Sequence, residues 1–493
     1  MVAFILPANS ATGGYEIDNS LRIEDGDSPY LQLAHGADGT TKTMTFSWWF
    51  KQGNITINRN FFGHSSVDDA IFIRSDDGFS FIMRNAADGI LTTNRKFRDP
   101  SAWYHIVLAI DTTQGTAANR IKLYVNGVQE TSFATATYPD QNTDLTGFNT
   151  NTDNQFIGRE KGGNYFDGYL ADINFIDGAA KAPTDFGEVN DNGVWVPIKY
   201  SGGYGTNGYF LEFNQTGTSQ NASGIGADTS GNDAHWAIDS FTARDIVTDS
   251  PTNNFATLNP LAGNSQLEAN GYFFGNTRVS SNVSGVSNSN YLMSISSIGV
   301  TTGKWYAEFQ ATGNLYSSGT DSTSLIGVGS GIYKAGNGNH NTAIGGFTHW
   351  WLDHDDDRVI VDGDIGNVNM NDSTHVVQND TIGVYLNCDL TMPKVTFLKN
   401  GAALGGATNS PYNVRRTGSY SLGDNNPIFF MPVVRYGDGS NNGQFKCNFG
   451  NPPDIPSSGN ADANGFGNFE YSPTLGGVNY FALCTKNLAE FGG

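Results

Sequence analysis

Basic residues, cysteines, helical periodicity and long apolar runs are all scarce in this 493-residue chain, and each scarcity removes a class of protein. Lys plus Arg number 27 against 48 Asp plus Glu, a formal net charge of −21. A nucleic-acid surface needs concentrated positive charge to displace counterions, and no basic cluster here exceeds pairs such as Arg415-Arg416. Nucleic acid is therefore not expected as a partner. The three cysteines, Cys388, Cys447 and Cys484, are widely spaced, with no Cys-x-x-Cys or Cys/His ligand pattern, so they read as buried free thiols and not as a disulfide framework or zinc site. The opening Met1-Val-Ala-Phe-Ile-Leu-Pro7 has no basic residue and too short an apolar run for a secretory signal. No stretch approaches the roughly 20 apolar residues of a membrane helix, so membrane insertion is not expected. A place outside a cell would then be reached by lysis or by assembly into a particle.

What is present points to strands. The chain holds 61 Gly, 32 Phe, 21 Tyr and 8 Trp with only 15% charged residues. Aromatic and β-branched residues suit a pleated, half-buried surface, while Gly, Asn and Asp supply the turns. Twice, an apolar strand leads to a second strand that ends in Asn-Gly: residues 103–111 to 121–127, and residues 381–386 to 395–401. Asn-Gly accepts positive φ at both central positions of a type I′ turn, so both segments read as hairpins in antiparallel sheets. Residues 169–176 alternate Tyr169, Ala171, Ile173 and Phe175 against Asp172 and Asn174, which predicts one buried face. Helical turns are expected only around residues 183–189 and 485–491. The fold class expected is all-β: two antiparallel β-sandwich (jelly-roll) domains joined by a Gly/Ser/Asn-rich connector.

The neighbourhoods of the two hairpins differ, and each carries its own resemblance. Phe46-Ser-Trp-Trp-Phe50, Trp103-Tyr-His-Ile-Val107, Leu123-Tyr-Val-Asn-Gly-Val128 and Phe166-Asp-Gly-Tyr-Leu-Ala-Asp-Ile173 resemble, in this order, the laminin-G-like, concanavalin-type lectin fold over residues 20–215. Gly303-Lys-Trp-Tyr-Ala-Glu-Phe309, Asp380-Thr-Ile-Gly-Val384, Phe397-Leu-Lys-Asn-Gly401 and Phe445-Lys-Cys-Asn-Phe-Gly450 are similar to the SPRY domain over residues 265–452. The domains expected are residues 1–215 with an opening segment, a connector at 216–264, the SPRY-like sandwich at 265–452 and a tail at 453–493. Asp228-Thr-Ser-Gly-Asn232, Asp249-Ser-Pro-Thr-Asn253 and the tail look like the joining pieces of modular virion proteins from tailed, marine-type bacteriophages.

Candidate chemistry is sparse. Glucanases of the laminarinase type need a nucleophile and an acid from one strand, as Glu-x-Asp-x-(x)-Glu. The nearest match is Glu16-Ile-Asp18, with Ser20 and Leu21 where the second Glu should stand. No Gly-x-Ser-x-Gly elbow, His-Glu-x-x-His helix or phosphate loop occurs, and Gly327-Val-Gly-Ser-Gly331 reads as a strand passing close to a neighbour. The chain is therefore expected not to be an enzyme. Sugar-binding surfaces pair exposed aromatics with Asn and Asp, and His349, Trp350 and Trp351 with Asp353 and Asp355 form the candidate ligand-binding set. Residues 336–357 would be the variable recognition loop that the SPRY resemblance implies. Trp48-Trp49 reads as packing on two faces of an internal strand. No cofactor is expected other than calcium, for which Asp355, Asp357, Asp362 and Asp364 offer hard oxygen ligands, with Asp68, Asp69, Asp76, Asp77 and Asp111 as weaker candidates.

The function these readings imply is a non-enzymatic virion structural protein, a tail-fibre or appendage subunit that recognises host-surface glycans or proteins. The alternatives are a capsid decoration or head fibre, a secreted bacterial adhesin, and a polysaccharide-degrading enzyme of the laminarinase-like fold. The partners expected are other virion proteins, through the N-terminal segment, and a host glycan or protein, in a homo-oligomer. Heptad repeats are absent, so such an oligomer would need sheet or loop packing.

Overall fold

Both Asn-Gly pairs adopt the turn their sequence demands. Asn126 and Gly127 have φ of 48° and 78°, and Asn400 and Gly401 have 50° and 74°. Each Asn also clips its turn to a neighbouring strand: the Asn126 side-chain oxygen accepts the His105 N–H at 2.7 Å, and that of Asn400 accepts the Thr381 N–H at 2.8 Å. The structure is a computed structural model. It describes residues 14–262, 271–281, 291–312, 325–330, 349–353, 358–361, 364–369, 378–390, 393–403, 412–413, 427–435, 443–453 and 457–491, apart from residues 56, 66–68, 84–88, 146 and 152. These divide into a first unit that ends at Asn254 and a second that begins at Phe255.

The first unit contains β1 Ser20–Ile23, β2 Tyr30–Leu33, β3 Thr43–Gln52, β4 Arg59–His64, β5 Ala70–Ile73, β6 Gly78–Met83, β7 Gly89–Lys96, β8 Trp103–Asp111, β9 Ile121–Val125, β10 Val128–Gln129, β11 Phe133–Thr137, β12 Gln155–Ile157, β13 Gly168–Asp177, β14 Gly187–Val189, β15 Trp195–Pro197, β16 Tyr209–Leu211, β17 Ala237–Asp239 and β18 Ile246–Val247. One sheet runs β10-β9-β8-β3-β13-β1-β18, with β16 also on β13, and the other runs β11-β7-β6-β5-β4-β12-β2-β17. The core lies between them. Phe46, Trp48 and Phe50 of β3 pack on Phe61, Phe62 and Phe79 of the other sheet. Each such side chain contributes about 1.5–3 kcal/mol by leaving water. Trp49 points the other way and joins Trp103, Tyr169, Ala171 and Val247 on the outer face.

Strand β13 departs from the expected single buried face. Both of its faces are buried, and Tyr169 and Ala171 lie in the outer cluster while Ile173 and Phe175 lie in the core. The register on β3 shifts between Ala171 and Asn174, where Asp172 has φ of 51°. One extra residue in a bulge moves every later side chain to the opposite face. The predicted turn at residues 183–189 is a 3-10 turn, Pro183–Asp185, followed by β14, while a helix spans Thr485–Phe491 as expected.

Of the stretch read as a connector, residues 216–254 lie in the first unit, where β17 pairs with β2 and β18 with β1. Ile225, Trp236 and Phe241 join the core between the sheets and Val247 the outer cluster, and polar side chains tie the intervening backbone down. Asp228 accepts the N–H groups of Phe210, Ser230 and Ala234 at 2.8–2.9 Å. Asp249 is buried and bonded to the Lys51 ammonium at 2.8 Å and the Trp103 indole at 3.2 Å, while Lys51 also donates to Asn254 at 2.7 Å.

In the second unit one sheet runs, in spatial order, Tyr272–Phe273, Arg278–Ser280, Gln444–Asn448, Lys304–Ala311, Thr381–Asn387, Lys394–Lys399 and Ala402–Ala403. The other runs Tyr291–Met293, Ile428–Arg435, Leu325–Ser330, His349–Asp353, Arg358–Val361 and Asp364–Asn369. Trp305, Phe309, Val328 and Phe430 share the core between them. The residues after 456 are folded: Phe481–Ala482 pairs in parallel with Trp305 and Tyr306. Glu308, wholly buried, anchors them by accepting the Tyr306 hydroxyl at 2.9 Å, the Asn448 amide at 3.1 Å and the N–H groups of Glu470 at 3.0 Å and Tyr471 at 2.8 Å. Cys388, Cys447 and Cys484 are buried free thiols.

Candidate functional site

Alternation along β5, β6 and β7 sends Ile71, Ile73, Phe79, Phe81, Met83 and Leu91 into the core. The residues between them make the outer face. Two cross-strand rows result: Ala70, Ile82, Ile90 and Thr137, and beside it Asn60, Phe72, Ser80, Thr92 and Thr135. Phe72, Ile82 and Ile90 are half-buried, so their rings and methyls remain open to solvent. The hydroxyls of Ser80 and Thr92 pair at 3.2 Å between them. At one side the face is walled by the 158–165 loop, tied down where the Asn60 amide donates to the Asn164 carbonyl at 2.7 Å. A side chain at Gly63 would meet the Arg159 carbonyl at 2.5 Å, which explains the glycine beneath that loop. Arg159 itself lies over the rings of Tyr30, Phe156 and Tyr165, at 4.6, 4.7 and 5.5 Å from their centroids. Asn60, Ser80 and Thr92 are themselves buried, so what this face offers is an apolar strip that can stack against a ring with an apolar face.

The other sheet brings a Ser and a His together, and the geometry excludes nucleophilic catalysis there. Ser47 Oγ lies 2.9 Å from His105 Nε2, and the Trp195 indole N–H donates to His105 Nδ1 at 3.0 Å. With Nδ1 accepting, the ring proton sits on Nε2 and points at the serine, so no lone pair faces the hydroxyl. His105 is also buried, stacked at 4.6 Å on Trp49, and burial pushes its pKa down to about 3. The pair locks β3 to β8. Glu16 and Asp18, the nearest sequence match to a glucanase motif, are exposed ahead of β1, while Ile17 between them is buried.

Three carboxylates that motif reading passed over do converge. Leu21, Arg22 and Ile23 of β1 lie opposite Leu170, Tyr169 and Gly168 of β13, and continuing that register sets Glu24 opposite Asp167. Oxygens of Glu24, Asp25 and Asp167 lie within 4.8 Å of one another. Asp167 is buried and accepts the Asn54 N–H at 2.6 Å, and burial and the neighbouring Glu24 and Asp25 charges hold its carboxyl well above the usual carboxylate range. Asp25 is raised too, by burial. The available signal was an acidic residue before Gly at both ends of the pair, Asp25-Gly26 and Asp167-Gly168, but matching them requires the register of β1 on β13.

The calcium candidates read from the sequence in this unit are otherwise engaged. Asp77 pairs with Arg59 and Arg98, both at 2.8 Å, and Asp76 with Lys96 at 2.8 Å and Arg74 at 3.3 Å. Asp111 caps its own turn through Thr113 and Gln114, Asp69 is buried, and Asp68 lies outside the described residues. In the second unit, His349, Trp350, Trp351 and Asp353 form a single strand, Trp350 opposite Val328 and Val361, and Trp351 opposite Gly327 and Ile360. Asp364 opens the next strand but one, opposite Val361. Asp355, Asp357 and Asp362, and most of the 336–357 loop, lie outside the described residues.

Residues 25–184 match the family described as the concanavalin A-like lectin/glucanases superfamily, so the first unit carries a lectin-like β-sandwich domain. No curated protein matches the chain. Among solved structures, the SPRY domain of human HERC1 is 15% identical over 38% of this chain and 96% of its own, with a TM-score of 0.26. Domains LG4-5 of the mouse laminin alpha1 chain are 8% identical over 98% and 91%, at 0.26. A mutant of the alginate lyase Aly36B in complex with alginate trisaccharide is 14% identical over 36% and 83%, at 0.23.

Proposed function

We propose that this protein is a non-enzymatic recognition protein whose first unit binds carbohydrate on the open face of β4–β7, and that it serves as a structural subunit of a bacteriophage tail fibre or appendage. The observation that carries the first part is the half-buried apolar strip of Phe72, Ile82 and Ile90 within the lectin-like domain. The absence of enzymatic activity rests on chemistry. The Ser47–His105 pair has its proton on the wrong nitrogen, and the Glu24, Asp25 and Asp167 group is sunk too deep for a sugar ring to reach Asp167. The virion role rests on the joining segments around Asp228 and Asp249 and on the pairing of a lectin-like with a SPRY-like sequence. The strand bearing His349, Trp350 and Trp351 is the second recognition surface, directed to a host protein or glycan.

Two measurements test this reading. The full chain, incubated with immobilised marine polysaccharides, is expected to be retained without releasing reducing ends; released reducing ends would make it an enzyme. Mass spectrometry of purified phage particles is expected to find the chain in stoichiometric amounts. Its absence there, with presence on bacterial surfaces, would favour an adhesin.

A further inference from the structure

Lys51 stands on β3 between two aromatic neighbours, opposite Trp103 of β8 and Tyr169 of β13. Its side chain lies beside the outer aromatic cluster, with the nitrogen 5.5 Å from the centroid of the Tyr169 ring. The chain returns to it where the first unit ends. Ser250 and Asn253 exchange backbone hydrogen bonds at 3.2 and 3.1 Å, which closes a tight turn. Asp249 and Asn254 flank that turn and both reach Lys51 Nζ, Asp249 Oδ2 accepting at 2.8 Å and Asn254 Oδ1 at 2.7 Å. All three side chains are buried.

An amine, an amide carbonyl and a carboxylate gathered away from water are the three parts of an acyl transfer. The amide is oriented for it. Asn254 Nδ2 donates to the Ser101 carbonyl at 2.6 Å, which turns Oδ1 towards the lysine. With a C=O bond of about 1.2 Å, the 2.7 Å contact on Oδ1 sets the Lys51 nitrogen roughly 3–4 Å from the amide carbon, close to attack distance. The carboxylate is held too, its Oδ1 accepting the Trp103 indole N–H at 3.2 Å while Oδ2 faces the amine. Burial holds Lys51 below the usual lysine range, against the pull of Asp249, and so favours the neutral amine that a nucleophile requires.

We propose that Lys51 and Asn254 become joined by an amide bond between Nζ and Cγ, formed within the folded chain with Asp249 as the proton carrier. Asp249 takes one proton from the ammonium, and the freed amine attacks Cγ. Asp249 then gives its proton to the amide nitrogen and takes another from the attacking nitrogen. The Cγ–Nδ2 bond breaks, ammonia leaves, and Asp249 ends as the neutral acid. Nothing is oxidised or reduced, and a buried ammonium and carboxylate are replaced by uncharged groups, which removes their desolvation cost. The bond spans 203 positions and ties the last residue of the first unit to the central strand of its sheet. The ion pair is the unreacted state, and chain of unaltered mass is the parent against which charge removal at Lys51 and Asp249 is measured.

The test is the intact mass of the denatured full chain, before and after prolonged warming of the folded protein. The expected value falls short of the sequence mass by one ammonia. Asn-Gly pairs such as Asn126-Gly127 also lose ammonia when they close to succinimides, so digestion and tandem mass spectrometry must locate the loss. The expected product is a branched peptide joining Lys51 to Asn254, stable to the mild alkali that opens a succinimide. Lys51→Arg and Asn254→Ala remove the two partners and Asp249→Ala the proton carrier, and each should lack the branched peptide. The measurement on the parent stands whether or not these variants fold. A parent mass that stays unaltered overturns the proposal. So does a loss of one water with Lys51 joined to Asp249, a loss that maps to Asn-Gly, or a Lys51–Asn254 bond that forms undiminished in Asp249→Ala.

Discussion

Removing the Asp249 carboxylate should strand a buried ammonium. In Asp249→Ala, Lys51 keeps the Asn254 oxygen at 2.7 Å but loses its counter-charge at 2.8 Å, and the Trp103 indole loses its acceptor at 3.2 Å. Lys51 and Asp249 are both fully buried, so water cannot replace the lost partner without opening the outer face. Breaking a buried pair on one side costs about 3–5 kcal/mol. At roughly 2–4 °C per kcal/mol for a domain of this size, the melting temperature should fall by about 6–20 °C. Differential scanning calorimetry is the assay, because a two-unit chain unfolds in more than one step and the affected transition must be identified. Lys51→Met with Asp249→Leu removes both charges and should restore stability to within about 1 kcal/mol of the parent, or exceed it. A loss below about 1 kcal/mol for Asp249→Ala would refute the reasoning, since residues 249–254 would then be a loose linker. Equal losses in the single and double variants would refute the electrostatic part.

Other outcomes follow from the same kind of accounting. Glu308→Ala leaves four donors without their acceptor, and should cost at least about 3 kcal/mol and expose residues 457–491 to limited proteolysis before the rest of the second unit. His105 has a folded pKa of about 3 against about 6.5 unfolded, so its contribution is full above pH 6.5 and is lost as pH falls towards 3. Between pH 7 and 5 that loss is about 2 kcal/mol. Asp172, raised to about 7 by burial, works in the opposite direction, so the urea-denaturation comparison must be between the parent and His105→Gln, where the His-dependent part should vanish.

The sequence disclosed those parts of the fold that depend on local geometry. Asn126-Gly127 and Asn400-Gly401 require positive φ whatever surrounds them, and Trp48 and Trp49 must face opposite ways in an internal strand. Pairing information was out of reach. The bulge at Asp172 has no composition signature, and it alone separates Tyr169 and Ala171 from Ile173 and Phe175. Residues 216–254 have the Gly, Ser, Asn and Asp content of a linker because only a few apolar side chains, Ile225, Trp236, Phe241 and Val247, are buried from them, and side-chain carboxylates such as Asp228 and Asp249 hold the rest by gripping backbone and lysine. Glu24 and Asp167 are 143 positions apart and meet only through the β1–β13 register. The open strip of Phe72, Ile82 and Ile90 was similarly hidden, since each residue alone is an unremarkable strand hydrophobe.

The central claim is that this strip binds sugar without cutting it. The most direct test is the affinity of the full chain and of Phe72→Ala for a polysaccharide that the parent retains. The ring is half-buried, so truncation should cost little stability, while losing a central stacking contact should weaken binding by about 10- to 100-fold, or about 1.4–2.8 kcal/mol. Unchanged affinity in a folded Phe72→Ala protein would contradict the placement of the site on this face.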